Sequence, residues 1–182
     1  MISVVAAIRR DGFRPVASRE HTMASQRPEL VVYESTAAFD ASRIQAAAVY
    51  CSDGRFGEPM DDFLHTSLQL PRYDRLALPG GAACLAGHFR GYRQRDALEE
   101  ALRFLIAAHE LRRIVLIAHS DCAYYTHWLG VSGPELEERQ CDDLRSAAAR
   151  IARVAPLLSI EGYFARRCGA GVRFERVPLS SP

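Results

Sequence analysis

Two short clusters of residues in this sequence are equipped for chemistry. The first, Cys51-Ser52-Asp53-Gly54-Arg55, has the pattern C-x-D-x-R; the second, His119-Ser120-Asp121-Cys122, has the pattern H-x-x-C. Two thiols and one imidazole are a catalytic zinc set that leaves the fourth tetrahedral position for water or substrate. Zinc suits these donors because it is borderline-soft and takes thiolate and imidazole together. With two thiolates and a neutral imidazole the centre is formally neutral. It therefore acidifies bound water less than an all-histidine site, yet still draws the water pKa far down toward neutrality. Asp53 stands two residues after Cys51, close enough either to bind the metal or to accept a proton from bound water. Arg55 can hold Asp53 in a bidentate pair. Whether it takes Asp53 from the metal decides if the fourth position is open or closed by that carboxylate.

Other chemistries fit these residues less well. Two buried structural thiols would leave the polar Asp53, Arg55 and His119 without a purpose. A tyrosine-phosphatase loop needs Arg six residues after Cys51, where Gly57 stands. A cysteine hydrolase with Cys51 as nucleophile, His119 as base and Asp53 as orienter gives Cys122 no role. Cys84, on the loop expected to face the site, reads first as a small buried residue at a helix start. Cys141, at a helix start, and Cys168, in a turn, receive no function. His109 reads as a satisfied core histidine, and His65 and His88 flank loops that could reach the cleft. Tyr124, Tyr125, His127 and Trp128 either line a pocket or pack a short helix onto the sheet.

For the two clusters to meet, the elements before them must be neighbouring strands. Ala46–Cys51 and Ile114–Ala118 are apolar runs of buried-strand length, each ending at polar residues. Asp74–Leu78 is another short strand, closed by Pro79-Gly80-Gly81. The spacing predicts a helix over Asp96–Arg113, with Asp96 and Glu99 as a capping box and Leu98, Leu102, Leu105 and Ile106 on one face. A second helix is predicted over Asp142–Ala155, with Leu144, Ala147, Ala148 and Ile151 facing inward and Pro156 as the stop. Leu157–Tyr163 and Gly171–Val177 read as a closing hairpin. Alternating strands and helices imply an α/β fold with a central, mostly parallel sheet flanked by helices. The expected order is 2-1-3-4 with strand 5 antiparallel on the edge. Ligands then bind outside the carboxyl ends of the strands. Residues 1–42 show no period and read as an N-terminal arm; 43–182 read as one domain.

The 182 residues carry 23 basic side chains, all Arg, against 22 acidic ones. The absence of Lys excludes Schiff-base and P-loop lysine chemistry. Balanced charge excludes a general electrostatic grip on nucleic acid or anionic lipid. No apolar run is long enough to span a bilayer. Apolar Ile2–Ile8 precedes Arg9 and Arg10, the reverse of a secretory signal, so a cytoplasmic location is expected. Five cysteines, an odd number, point away from a disulfide framework.

The two patterns together, each after a buried strand, resemble those of the β-class carbonic anhydrases over the stretch from Gln45 to Val177. The resemblance implies a zinc ion on Cys51, His119 and Cys122 and an Asp53–Arg55 dyad. In some members the Asp closes the zinc site as a fourth ligand and the Arg releases it. It also implies reversible hydration of carbon dioxide to bicarbonate by zinc-bound hydroxide, in a homodimer or higher assembly for which residues 1–42 are a candidate exchanged arm. Two departures stand out. Leu78-Pro79-Gly80-Gly81-Ala82 replaces a more polar family segment, and Ala118 and Ala123 replace glycines around the H-x-x-C pattern. The altered Pro-Gly-Gly loop opens one alternative, a zinc hydrolase of another small electrophile such as carbonyl sulfide or carbon disulfide; a second, in which Asp53 keeps the metal four-coordinate, is a catalytically silent zinc-binding homologue that serves a partner.

Overall fold

Ile114-Val115-Leu116-Ile117 is wholly apolar and rich in β-branched residues, so it is stable only as a strand covered on both faces. It forms the centre of β3 (Arg113–His119) and is completely buried. The computed structural model describes residues 32–88 and 92–179. By contacts the chain divides into Met1–Asp40 and Ala41–Pro182. Of the sequence-derived arm, residues 1–31 lie outside the described ones; Val32–Asp40 form no helix or strand and are exposed.

The second unit holds a five-stranded sheet: β1 (Ala46–Cys51), β2 (Asp74–Leu78), β3, β4 (Ser159–Cys168) and β5 (Gly171–Val177). The order is β2-β1-β3-β4-β5. The first three pairings are parallel and β4–β5 is antiparallel, as the α/β reading expects. Alternation along the strands builds two apolar layers. Ile114, Leu116 and Ala118 pack with α2 (Ala83–Ala86), α3 (Tyr92–His109) and α4 (Glu135–Val154). Val115 and Ile117 face the other way, toward Phe56, α1 (Gly57–Asp62) and Leu64. Three alanines, Ala46, Ala47 and Ala48, keep the first half of β1 thin between these layers. No helix among the described residues is long and apolar enough to cross a membrane.

Helix boundaries differ from the sequence-based expectation. The helix expected over Asp96–Arg113 runs from Tyr92 to His109. Asp96 lies inside it, bonded to Arg95 instead of capping an end, while Glu99 pairs with Arg103 one turn on. The helix stops because Glu110 takes a left-handed φ of 53°. Arg112 and Arg113 then donate their backbone N–H groups to Gln45 O, and Arg113 enters β3. The helix expected over Asp142–Ala155 begins at Glu135, directly after Pro134. Glu135, Glu137 and Glu138 in its first turn favour the positive end of the helix dipole. The apolar stripe that guided the expectation starts only later. This places Cys141 inside the helix, not at its start. β4 begins at Ser159 and runs on to Cys168, because Leu157 is exposed in the preceding turn. His109 is not a core histidine: it is half-buried and bonds Asp74 at 2.7 Å.

Candidate metal centre

The register of β1 on β3 pairs Tyr50 with Ile117, so Cys51 and His119 emerge at the same carboxyl end of the sheet. Cys122 follows His119 after a sharp turn in which Asp121 takes a left-handed φ of 57°. That turn folds the second thiol back beside the first. The Sγ atoms of Cys51 and Cys122 are 3.8 Å apart. One ligand atom from each of Cys51, His119 and Cys122 lies within 4.8 Å of the others, and all three residues are buried.

Each donor is oriented by a named contact. His119 Nδ1 lies 2.8 Å from the carbonyl oxygen of Ser120. A carbonyl can only accept, so Nδ1 carries the proton and Nε2 presents its lone pair. Nε2 is buried and has no hydrogen-bond partner. Such an orphaned acceptor is costly unless something binds it. Phe56 lies across the imidazole with ring centroids 4.3 Å apart, fixing its plane.

The Pro79-Gly80-Gly81 turn supplies the support for Cys51. Gly80 donates its backbone N–H to Cys51 Sγ at 3.4 Å. A Cβ on Gly81, at φ +53°, would stand 2.7 Å from the carbonyl carbon of Tyr50; one on Gly80 would stand 2.4 Å from the Tyr124 ring. Only glycine allows the turn to sit this close to the end of β1. The thiol of Cys122 donates toward Cys51, and this, with the Gly80 N–H, holds the Cys51 thiol well below its usual range against the opposing effect of burial. Cys122 is pushed up by the same contact and by burial.

The donor set suits a metal ion of intermediate softness. A tetrahedral ion with metal–sulfur bonds of about 2.3 Å separates its sulfurs by about 3.8 Å. The two sulfurs already stand at that distance, and the bare Nε2 faces them. Asp53 is not among the converging atoms. Its carboxylate is held by Arg55, whose Nε is 2.9 Å from Oδ1 and whose Nη2 is 2.5 Å from Oδ2. The same carboxylate caps the short turn Gly54–Phe56 through the Arg55 backbone N–H. Arg55 holds the Asp53 carboxyl down at about 2.

Several residues outside both sequence patterns shape the site. Gln140 donates its amide to the His119 carbonyl at 2.8 Å, and Asp143, one turn further along α4, accepts from the Tyr125 hydroxyl at 2.8 Å. His88 closes on Asp143 at 2.7 Å, so it supports α4 and does not enter the cleft. Tyr124 and Tyr125 are buried beside Cys51 and Cys122, packing a short helical turn against the centre. His65 lies beside Tyr73, near α1. Cys84 is buried and donates to Pro79 O, with its thiol pushed up to about 11 by burial and by the nearby Cys51. Gln140 had a sequence signal: an uncharged polar residue on the same helical stripe as Leu144, Ala147 and Ile151.

The family model described as "Putative carbonic anhydrase" matches residues 41–174. No curated protein matches the chain. Among solved structures, β-carbonic anhydrase isoform I of Trichomonas vaginalis aligns over 78% of this chain and 87% of its own, at 15% identity and a TM-score of 0.50. One of two tetrameric β-carbonic anhydrases of Sordaria macrospora aligns over 74% and 81% at 14% identity and a TM-score of 0.48. The first of these likenesses, at 15% identity, shows the fold alone.

Proposed function

Since the chain belongs to the carbonic anhydrase family, whose model covers residues 41–174, we propose that it catalyses the reversible hydration of carbon dioxide at a zinc ion held by Cys51, His119 and Cys122. The observation that carries this reading is the buried, unpartnered His119 Nε2 facing two sulfurs at tetrahedral spacing. When bound, zinc supplies a Lewis acid that makes water a nucleophile near neutral pH.

The protein's own residues do the rest. Gly80 donates its N–H to Cys51 Sγ and so favours the thiolate form that binds a metal. Ser120 fixes the tautomer of His119. Arg55 occupies Asp53 from the outer side, keeping the carboxylate ionised and away from the ligand set. Asp53 then accepts a hydrogen bond from the attacking water and aims its lone pair at the substrate carbon. Phe56, over the imidazole, keeps bulk water off this side. The proton lost on forming bicarbonate passes to solvent.

A specific feature supports a second substrate class. Leu78–Ala82 presents no polar side chain, and the Gly80 N–H is already engaged by Cys51. This turn therefore offers neither a side-chain donor nor the Gly80 N–H to select carbon dioxide over another neutral linear molecule such as carbonyl sulfide or carbon disulfide. We also assign the protein to a homodimer or larger assembly in the cytoplasm. Light scattering at micromolar concentration tests the assembly, with a clean monomer as the contrary result.

Stopped-flow carbon dioxide hydration, run alongside hydrogen sulfide release from carbonyl sulfide, tests the substrate. The expected result is hydration by wild type that disappears in Cys51→Ala together with its zinc. Sulfide release without hydration would select the second class. A zinc-loaded wild type inactive on both would leave a catalytically silent zinc domain.

A further inference from the structure

The polar face of α4 is unexpected for a helix packed onto a sheet. Gln140 and Asp143 are 1% and 3% exposed, on a helix whose other buried residues are Leu144, Ala147, Ala148 and Ile151. Both point their polar atoms at the segment that carries His119 and Cys122. Gln140 Nε2 donates to the backbone oxygen of His119, while Gln140 Oε1 is buried without a partner. Turning the amide over would place two acceptors against each other, so its orientation is determined. Leu or Met would fill this position with no orphaned acceptor. A role confined to packing therefore does not account for glutamine here.

Asp143 grips the other end of the segment. It accepts from the Tyr125 hydroxyl at 2.8 Å, and Tyr125 in turn donates its backbone N–H to the Cys122 carbonyl at 3.1 Å. His88 lies 2.7 Å from the same carboxylate oxygen, and Arg139 lies 3.0 Å from the other ring nitrogen of His88. Arg can only donate, so His88 accepts from it at Nδ1 and donates from Nε2 to Asp143. The carboxylate is thus surrounded by donors. β4 completes the frame from the opposite side: Ser120 N–H donates to Ala165 O at 3.0 Å, and Ser120 Oγ accepts from the Arg167 N–H at 2.9 Å.

We propose that α4 is a two-point clamp on the metal-binding segment, in which Gln140 positions His119 through its carbonyl and Asp143 positions Cys122 through Tyr125. The clamp rests on the zinc reading above and deepens it. Its consequence is that affinity and coordination geometry depend on side chains that touch neither the metal nor the substrate. Partners outside the ligand set commonly change metal affinity by about 10- to 100-fold when removed. The carbonyl contact acts through one peptide, so Gln140 belongs near the lower end of that range.

The test is cobalt(II) and zinc binding to full-length wild type, Gln140→Met and Tyr125→Phe, read by chelator competition and by the cobalt visible spectrum. Met keeps the volume of Gln140 and removes the donor. Phe keeps the packing of Tyr125 and removes the hydroxyl, so it remains informative if Gln140→Met does not fold. The clamp predicts about tenfold weaker binding for Gln140→Met and a smaller loss for Tyr125→Phe. It also predicts altered cobalt d–d bands in both, with the thiolate charge-transfer bands retained. Unchanged affinity and d–d bands in the folded variants would overturn the clamp and leave the zinc reading intact, even if their melting temperatures fall. A wild type that binds neither metal would overturn both.

Discussion

Cys51 ends a buried strand and hands the chain to a surface turn, whereas His119 and Cys122 stay inside the molecule. After Cys51 the polar partners are Asp53 and Arg55, and the Arg55 side chain is 66% exposed. After His119 the partners are Gln140, Asp143, Ser120 and the backbone of β4, mostly buried. The difference separates two tasks. The interior segment fixes where the donors stand. The surface turn carries a pair whose arginine half is exposed, so losing Arg55 disturbs the core less than losing one of the buried contacts.

The largest effect should come from the interior side. His119→Ala removes the imidazole from a site whose other donors are two thiols, and zinc affinity should fall by about a thousandfold or more in chelator competition. Wild-type affinity in this variant would mean that the metal sits elsewhere.

Next in size is Gly81→Ala, which strikes the support behind Cys51. The added Cβ would meet the Tyr50 backbone at 2.7 Å in a left-handed residue. Denaturant unfolding should show a loss of about 2–3 kcal/mol, the sum of a strained φ and a backbone clash. A loss below about 0.5 kcal/mol, the size of an ordinary surface change, would show that the turn can move away from β1.

The surface pair should alter activity with little change in stability. Arg55→Ala frees the Asp53 carboxylate to approach the metal ligands. Zinc should be retained while hydration falls by about a hundredfold, within the range of a lost orienting or acid–base contact. Asp53→Asn should retain zinc with an open fourth position and lower hydration less, since water binding survives and only its orientation is lost. Equal hydration by Arg55→Ala and wild type would remove the dyad from the mechanism.

The parts legible in the sequence are those set by short-range pattern. The strands at Ala46–Cys51 and Asp74–Leu78 were readable to their end residues, because apolar runs there stop abruptly at Ser52 and Pro79. The sheet order followed from requiring Cys51 and His119 to meet, and the sheet has that order. Helix ends were less legible. Glu110 leaves α3 through a left-handed conformation that no Gly or Pro announces, and the first turns of α4 are charged and carry no apolar period. That early start left Gln140 ahead of the expected helix and Cys141 at its start, although both lie well inside α4. The Gly80 contact and the Gln140 and Asp143 contacts join residues 21 or more positions apart, or 18 for Tyr125 and Asp143, so they depend on the assembled fold.

The central claim is that Cys51, His119 and Cys122 hold one zinc while Arg55 keeps Asp53 off it. Zinc-edge X-ray absorption on the purified wild-type protein tests this most directly. The account predicts two sulfurs, one imidazole nitrogen and one further light atom around the metal, with the same fourth scatterer in Asp53→Asn. A fourth light ligand that is lost in Asp53→Asn would place the Asp53 carboxylate on the zinc, and a shell lacking two sulfurs would contradict the centre itself.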